Sequence, residues 1–173
     1  MAQNVEIKAR IDASKFELLR TRAAGLATKG PIQITQTDTF FACASGRLKL
    51  REFGDATAEL IAYQRPDATG PKTSNYVRSQ CDAESMKEAL HRALGTIGVV
   101  KKSREVFFNQ QTRIHLDRVE GLGTFLELEV VLESSQGEAM SEAEGQVEAE
   151  KLMAELGVEK SELVSGAYFD LLA

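Results

Sequence analysis

Gly46-Arg-Leu-Lys-Leu-Arg51 alternates cations with leucines. Successive side chains of a β-strand point to opposite faces, so Arg47, Lys49 and Arg51 would share one face and the leucines the other. An exposed sheet more often pairs opposite charges across its strands, whereas this stretch stacks like charges on one short strand. The stretch therefore predicts a strand whose cationic face binds an anion.

The same alternation recurs with the opposite sign in Phe125-Leu-Glu-Leu-Glu-Val130. A strand there places Glu127 and Glu129 on one face and apolar side chains on the other. Carboxylate oxygens are the ligands that Mg²⁺ and Mn²⁺ prefer in proteins. A protein that has both kinds of strand is suited to bind a metal-bound polyphosphate.

The length and composition favour one compact domain over 1–173, since 173 residues that are 43% hydrophobic can form a substantial core. The first residues lack the basic and apolar segments of a secretion signal, and no run approaches the roughly 20 apolar residues of a membrane span. We therefore expect a cytoplasmic protein with no membrane partner. Cys43 and Cys81 belong to no paired motif and are expected to be reduced and structural.

The formal net charge of −5 is unevenly distributed along the chain. Residues 1–117 hold 18 Lys or Arg against 13 Asp or Glu, and residues 118–173 hold 3 against 13. Nucleic-acid binding through a general field usually needs a basic surface, so no nucleic-acid partner is expected. The Glu-rich stretch Glu133–Glu162 is typical of a solvated helix face with flanking loops.

Hydrophobic periodicity predicts eight strands and four helices. The predicted strands are Val5–Ile11, Ile32–Phe41, Arg47–Phe53, Ala58–Arg65, Thr73–Gln80, Val99–Phe108, Thr112–Val119 and Thr124–Leu132. The first helix begins at a cap on Asp12 or Ser14 and ends before Gly25, and the second runs from a cap on Asp82 to Ala93. The last two are Ser141–Leu156, with Val147 and Met153 among its apolar residues, and Gly166–Leu172, capped by Ser165.

Short, turn-rich connections between most of these strands favour an antiparallel sheet or barrel of the α+β class, with helices covering apolar strand faces. Two arrangements fit the alternation equally well. A barrel with helices outside would enclose the charged faces, whereas an open sheet would expose them to water. The open sheet is the commoner arrangement, and the alternation leaves both open.

One face of the predicted strands collects most of the candidate site residues. Arg can hold phosphate oxygens bidentately, while Lys acts as a movable point charge. Glu127 and Glu129 are candidate metal ligands, with Glu6 and Asp117 as further ligands. His115 is equally suited to a site or to a hydrogen-bonded structural position. The sequence contains no Walker phosphate loop, no His-Glu-x-x-His, no Cys-x-x-Cys and no nucleophile elbow.

The chain resembles the CYTH superfamily, the triphosphate tunnel metalloenzymes, which includes class IV adenylate cyclases and thiamine triphosphatases. The resemblance rests on several motifs that are modest individually but specific in their order along the chain. The resembling segments are Asn4-Val-Glu-Ile-Lys8, Gln36-Thr-Asp-Thr-Phe-Phe41, Gly46-Arg-Leu-Lys-Leu-Arg-Glu52, Glu59-Leu-Ile-Ala-Tyr-Gln-Arg65, Lys102-Ser-Arg104, Arg113-Ile-His-Leu-Asp117 and Gly121-Leu-Gly-Thr-Phe-Leu-Glu-Leu-Glu129. The resemblance implies an eight-stranded antiparallel β-barrel with helices packed outside and a charged tunnel inside.

The resemblance also assigns roles to individual residues of the tunnel. It implies substrate binding by Lys8, Arg47, Lys49, Arg51, Arg65, Lys72, Lys102, Arg104 and Arg113, metal binding by Glu6, Asp117, Glu127 and Glu129, and catalytic roles for Lys8, Glu6 and Asp117. The sequence departs from the family signature Glu-x-Glu-x-Lys at one position, because Asn4 stands where the signature has its first carboxylate. An amide offers a neutral oxygen but neither charge nor a general base, so weaker metal binding or loss of a second metal position is expected.

The resulting hypothesis is hydrolysis of a triphosphate with Mg²⁺ or Mn²⁺ as cofactor, acting on inorganic triphosphate, a nucleoside triphosphate or thiamine triphosphate. The main alternative is an adenylate cyclase that makes cyclic AMP and pyrophosphate from ATP, and a third possibility is a non-catalytic polyphosphate or nucleotide binder. The sequence specifies neither the physiological triphosphate nor an oligomeric state.

Overall fold

The computed structural model describes residues 2–133 and 139–172, and part of the predicted Glu-rich stretch, residues 134–138, lies outside the described residues. Eight strands run over Ala2–Ile11 (β1), Lys29–Phe41 (β2), Arg47–Phe53 (β3), Ala58–Gln64 (β4), Lys72–Cys81 (β5), Thr96–Asn109 (β6), Thr112–Val119 (β7) and Gly123–Val131 (β8). They form one closed barrel in the order β1-β5-β4-β3-β2-β6-β7-β8, and every neighbouring pair is antiparallel. The predicted eight-stranded antiparallel barrel is confirmed.

The helices lie outside this barrel. They are Ala13–Leu26 (α1), Ala83–Leu94 (α2), Glu142–Leu156 (α3) and Tyr168–Leu172 (α4), with a 3₁₀ turn at Lys160–Glu162. None of the helices in the described ranges is long and apolar enough to cross a membrane.

The largest hydrophobic core lies between the outer barrel surface and two of the helices. Outward residues of β1 such as Val5 and Ile7 pack with Leu19 of α1 and with Leu152 and Leu156 of α3, and all five are at most 1% exposed. Each fully buried side chain of this kind contributes about 1.5–3 kcal/mol relative to exposure. Because the helices cover the apolar faces from outside, the charged faces turn inward, and the open-sheet alternative is wrong.

The second helix covers another part of the barrel. Met86 and Leu90 of α2 pack against Phe41 of β2 and Leu50 of β3, which are both at most 1% exposed. Asp82 caps α2 by accepting a hydrogen bond from the Ser85 backbone N–H at 2.9 Å, as the sequence predicts. Since β3 carries Leu50 between Lys49 and Arg51, this packing turns both cations inward.

Several predicted helix details differ in the structure. Asp12 rather than Ser14 caps α1, and the helix continues through Gly25 to Leu26, because Leu26 packs on the core. Of the two apolar residues named for α3, Met153 is buried and Val147 is 67% exposed. The buried stripe follows Ala149, Leu152 and Leu156 at helical spacing, and Val147 is two positions away on another face.

The ends of some elements also differ from the prediction. The strands β2 and β6 begin three residues earlier than expected, since their backbones pair over a long antiparallel ladder from Lys29 and Phe108 to Phe41 and Thr96. Paired backbones extend a strand even where side chains do not alternate. The last helix begins at Tyr168, not at Gly166.

Candidate functional site

A cavity that is open to solvent lies inside the barrel. It is lined by cations, carboxylates, neutral polar groups, aromatic rings and two aliphatic side chains, which come from seven strands, from the loop after β4 and from α4. The lining residues are Asn4, Glu6, Lys8, Asp38, Phe40, Lys49, Arg51, Ile61, Tyr63, Arg65, Ser74, Tyr76, Arg78, Val100, Lys102, Arg104, Glu127, Glu129 and Tyr168.

One side of the cavity gathers three cations around a single carboxylate. Asp38 of β2 accepts hydrogen bonds from Arg51 Nε at 2.8 Å and Nη2 at 2.7 Å, and from Lys49 Nζ at 3.1 Å. Lys102 Nζ of β6 lies 3.9 Å from the same carboxylate. These four residues are called the basic wall below. With three cations and one carboxylate, the formal net charge of the basic wall is +2.

Burial and mutual repulsion act on the lysines of the basic wall. Burial first, and then the neighbouring Arg51, lower the pKa of Lys49 to about 8 despite the opposing effect of Asp38. Burial, Arg104 and Arg51 hold the pKa of Lys102 well below its ordinary value. Although burial acts to raise it, the pKa of Asp38 lies well below its ordinary value because of Arg51, Lys49 and Lys102. The wall is thus a strongly electropositive surface that an anion would stabilise.

The opposite charge is concentrated on β1 and β8. Glu6 and Glu129 are direct cross-strand partners in the ladder between these strands, and Glu127 shares their inward face. Side chains in such positions have their Cβ atoms about 4.5–5.5 Å apart. Glu6, Glu127 and Glu129 are called the acidic wall below.

Each carboxylate of the acidic wall has a cation of its own. Arg65 Nη1 donates to Glu6 at 2.6 Å, and Arg113 Nη2 lies 2.5 Å from a Glu129 oxygen. The Glu127 oxygens lie 3.4 Å from Lys8 Nζ and 3.2 Å from Arg104 Nη2.

The carboxylates of the acidic wall differ in the direction of their pKa shifts. Burial raises the pKa of Glu6, and the negative charges of Glu129 and Glu127 raise it further against the opposing effect of Arg65. Burial also acts to raise the pKa of Glu127, but Lys8 and Arg104 hold it well below its ordinary value. Glu6 is therefore the member of the wall for which an additional cation would be most favourable.

The donor set of the acidic wall fits a hard divalent cation, although the described residues contain no ready-made group of three acidic, histidine or cysteine side chains close enough to hold one. Glu6 and Glu129 face each other across adjacent strands, and carboxylate oxygens are the preferred ligands of Mg²⁺ and Mn²⁺. Their present partners are arginine side chains, which could release them through rotamer changes. Asn4 is 2% exposed on the same face of β1 and adds a neutral amide oxygen.

Asp117 and His115 lie behind the cavity lining on β7. Asp117 is fully buried and accepts a bidentate interaction from Arg104, at 2.7 Å and 2.6 Å, and a hydrogen bond from the Tyr168 hydroxyl at 2.8 Å. His115 Nδ1 lies 3.7 Å from Glu127 Oε2, and it has no hydrogen-bond partner among the described residues. Burial and the neighbouring Arg104 lower the pKa of His115.

The C-terminal segment closes one end of the cavity. Gly166, with a φ of +80°, directs its carbonyl oxygen to Lys8 Nζ at 3.0 Å and to Arg65 Nη2 at 3.1 Å. The Tyr168 ring lies 4.0 Å from Lys8 Nζ. Asp170 accepts hydrogen bonds from Arg47 Nη2, at 2.6 Å to each carboxylate oxygen.

The structure separates the predicted site residues into two groups. Those that line the cavity are Glu6, Lys8, Lys49, Arg51, Arg65, Lys102, Arg104, Glu127 and Glu129. The others, Arg47, Lys72, Arg113 and Asp117, are not among the lining residues. Their charged groups contact Asp170, the Ala68 carbonyl, Glu129 and Arg104 respectively.

Several polar lining residues were not among the predicted site residues, and of these Asp38 and Tyr168 form hydrogen bonds with predicted ones. Asp38 lies between two threonines in a segment with strand alternation, and that signal could have placed it on the inward face. Tyr168 gives no such signal, because its position depends on where the chain returns after α3.

Comparisons with known proteins agree with this architecture. The family model of the CYTH domain matches residues 2–168. The PH1012 protein of Pyrococcus horikoshii OT3 superposes with a TM-score of 0.79 at 22% identity, over 98% of this chain and 99% of that chain. Comparison with curated protein sequences gives no match.

Two further structural neighbours have names that mention an activity. A candidate adenylate cyclase of Vibrio parahaemolyticus has a TM-score of 0.73 at 18% identity, over 98% of this chain and 97% of that chain. HpAC1 of Hippeastrum, a candidate adenylyl cyclase described as having a dominant triphosphatase activity, has a TM-score of 0.68 at 16% identity, over 99% and 95%. At these identities the likeness shows the shared fold.

Proposed function

The chain belongs to the CYTH domain family, and from this premise we propose that it hydrolyses a triphosphate held in the barrel cavity, with Mg²⁺ or Mn²⁺ as cofactor. The observation that carries the proposal is the basic wall, where Lys49, Arg51 and Lys102 share Asp38 as their one carboxylate among the described residues. A buried surplus of positive charge is costly unless an anion neutralises it. A polyphosphate is an anion of suitable charge.

The residues of the two walls have complementary tasks in this proposal. Arg51 and Arg104 present guanidinium groups that can bind phosphate oxygens bidentately, while Lys49 and Lys102 add point charges on the same side. Stabilising charge on phosphate oxygens and holding the chain in position account for most of the catalysis of phosphoryl transfer. Lys8 lines the same cavity, 3.4 Å from Glu127 of the acidic wall, where it can neutralise charge that develops during the reaction.

The acidic wall would hold the cofactor. Glu6, Glu127 and Glu129 supply the carboxylate oxygens, and Asp117 orients Arg104 from behind the lining. A bound divalent ion supplies Lewis-acid polarisation of phosphate oxygens and a more acidic water. Arg65 and Arg113, which now pair with Glu6 and Glu129, would then be free to contact the substrate.

Adenylate cyclase is the second candidate, favoured by the names of structural neighbours from Vibrio parahaemolyticus and Hippeastrum. The same cavity can bind ATP for either reaction, and the difference lies in whether water or the ribose hydroxyl attacks phosphorus. A non-catalytic binder is the third candidate, since Asn4 reduces the acidic charge beside Glu6. The neighbour described as a triphosphatase supports hydrolysis as the first choice.

Product analysis tests these alternatives. Purified protein is incubated with Mg²⁺ or Mn²⁺ and, separately, with inorganic triphosphate, ATP and thiamine triphosphate, and phosphate, pyrophosphate and cyclic AMP are quantified. We expect metal-dependent phosphate release that Glu129→Gln lowers by at least about 100-fold, because one ligand charge of the acidic wall is lost. Glu52→Gln is the matched control, since Glu52 pairs with Lys87 outside the cavity.

Each other outcome points to a different function. Formation of cyclic AMP and pyrophosphate from ATP would show that the reaction is cyclisation and not hydrolysis. Tight triphosphate binding without turnover, unaffected by metal, would favour the non-catalytic binder. Full activity of a folded Glu129→Gln variant would show that Glu129 is not a metal ligand.

A further inference from the structure

The two ends of the cavity differ in chemistry. At the end covered by α4, Phe40, Val100 and Phe125 pack with Tyr168 in a buried apolar cluster, and all four are at most 5% exposed. Phe169 stacks on Phe40 with ring centroids 5.2 Å apart. This cluster fills the α4 end, so a long ligand has to extend towards the opposite end.

The opposite end is formed by the first residues of β1 and the part of β5 that lies beside and beyond them. Its lining comprises Asn4, Ser74 and Tyr76, which are neutral, and Arg78. Tyr76 is half-buried and Arg78 is exposed, whereas Asn4 and Ser74 are buried, so the cavity opens to solvent on the side of Tyr76. Apart from Arg78, these side chains have no charge with which to bind a phosphate.

The groups at this open end suit a planar ring. The Tyr76 hydroxyl donates to the Asn4 amide oxygen at 3.4 Å, which limits rotation of the phenol ring. The Arg78 guanidinium carbon lies 5.4 Å from the centroid of that ring. Ile61, which is 6% exposed, adds an apolar contact on the neighbouring strand β4. An aromatic ring and a guanidinium plane are the groups on which proteins stack heteroaromatic rings.

We propose that Tyr76, Arg78 and Ile61 form a subsite for a planar heteroaromatic ring that is linked to the triphosphate, so that the substrate is an organic triphosphate rather than inorganic triphosphate. The inference rests on the proposed function, because it assumes that the phosphates bind at the basic wall. Nucleoside triphosphates and thiamine triphosphate share the required chemistry.

Equilibrium binding tests the subsite without requiring turnover. Titration calorimetry in EDTA compares inorganic triphosphate, ATP and thiamine triphosphate on the wild type, Tyr76→Ala and Tyr76→Phe. Tyr76→Ala is expected to weaken at least one ring-bearing ligand about tenfold, which corresponds to about 1.4 kcal/mol. Binding of inorganic triphosphate should change by less than about twofold, since it makes no stacking contact. Tyr76→Phe keeps the ring and should bind the ring-bearing ligand within about threefold of the wild type.

Val77→Ala is the matched control on the same strand, because Val77 points outward and is 58% exposed. A loss for ATP alone identifies a nucleoside triphosphate, and a loss for thiamine triphosphate alone identifies that compound. An equal loss for all three ligands, or no loss for any, would overturn the subsite. So would wild-type protein that binds inorganic triphosphate but neither ring-bearing ligand.

The failure of the subsite and the failure of the proposed function are distinguishable. Ring-dependent binding without phosphate release from any triphosphate would contradict hydrolysis and leave the subsite standing. The opposite result is metal-dependent phosphate release with neither the activity nor the binding of any substrate changed by Tyr76→Ala. That result would support hydrolysis and contradict the subsite.

Discussion

The basic wall and the acidic wall differ in how completely their charges are paired. Each carboxylate of the acidic wall has at least one cation of its own, such as Arg65 for Glu6 and Arg113 for Glu129. In the basic wall, three cations share Asp38. The comparison shows that the cavity is not electrostatically uniform, and the surplus positive charge of the basic wall is carried by side chains of β3 and β6.

This difference in charge pairing suits the acidic wall to a metal ion and the basic wall to an anion. A carboxylate that is paired with an arginine can exchange it for a metal ion, because its negative charge stabilises either cation. Unpaired cations gain an interaction only when an anion enters, and that gain is large where solvent is excluded. The free protein therefore keeps its basic wall at a cost in stability, and ligand binding recovers part of that cost.

Removing the one carboxylate of the basic wall should have the largest effect on stability. Asp38→Asn preserves the side-chain shape but removes the carboxylate that three buried cations contact. The free energy of unfolding should fall by about 3–5 kcal/mol in denaturant titration. Inorganic triphosphate should raise the melting temperature of this variant more than that of the wild type, because the anion replaces the lost charge.

Asp67→Asn serves as the control, since Asp67 is exposed in the loop between β4 and β5. A surface change of this kind should stay within about 0.5 kcal/mol. If Asp38→Asn costs less than about 1 kcal/mol, the basic wall is not under electrostatic strain.

Two arginines of β3 sharpen the same comparison at the level of binding. Arg51 lines the cavity, whereas Arg47 is held by Asp170 away from the lining. Arg51→Ala should weaken triphosphate binding about 10- to 100-fold, as expected for charge-assisted hydrogen bonds. Arg47→Ala should weaken it by no more than about threefold.

Calorimetry of both variants with inorganic triphosphate measures this difference. Equal losses would mean that Arg47 leaves Asp170 and enters the cavity when the anion binds, as its predicted role in substrate binding requires. An unchanged affinity of Arg51→Ala would contradict the assignment of phosphate binding to the basic wall.

The sequence predicts the inward and outward faces of the strands well, because alternation has a fixed period of two. Val5 and Ile7 point into the helix-covered core while Glu6 points into the cavity, as the pattern requires. Alternation does not distinguish a barrel from an open sheet, because both have two faces. The barrel was predicted only through the resemblance to a family. The structure supplies the physical reason for it, because α1 and α3 pack on the apolar face of β1 from outside and leave the charged face inside.

The partners of each charge were less predictable. Asp38 meets Arg51 because of the register between β2 and β3, and it meets Lys102 because of the register between β2 and β6. Register depends on turn geometry and on pairs distant in sequence, which a single strand pattern does not encode. For the same reason, the contact of Arg47 with Asp170 on α4 had no signal in the sequence.

The smallest expected effect is a pH dependence of anion binding. Burial and nearby cations lower the pKa of Lys49 to about 8 and that of Lys72 to about 8, against about 10.4 in an unfolded chain. Below pH 8 both lysines are charged in either state, and the folded protein bears the full cost of burying them. As the pH rises through this window, the folded state loses these protons before the unfolded state does, so the ligand-free protein becomes more stable.

Triphosphate binding should follow the opposite course, because the same deprotonation removes positive charge from the cavity. We expect the affinity for inorganic triphosphate to fall about tenfold between about pH 7 and pH 9, with proton uptake on binding. Calorimetry in buffers with different ionisation enthalpies measures both quantities. Lys49→Met should bind more weakly at pH 7 and show less proton uptake at pH 9, since one titrating group is gone. A constant affinity without proton uptake would contradict this prediction. It would show that the lysines stay charged throughout this range and that the repulsion among the three cations around Asp38 is weak.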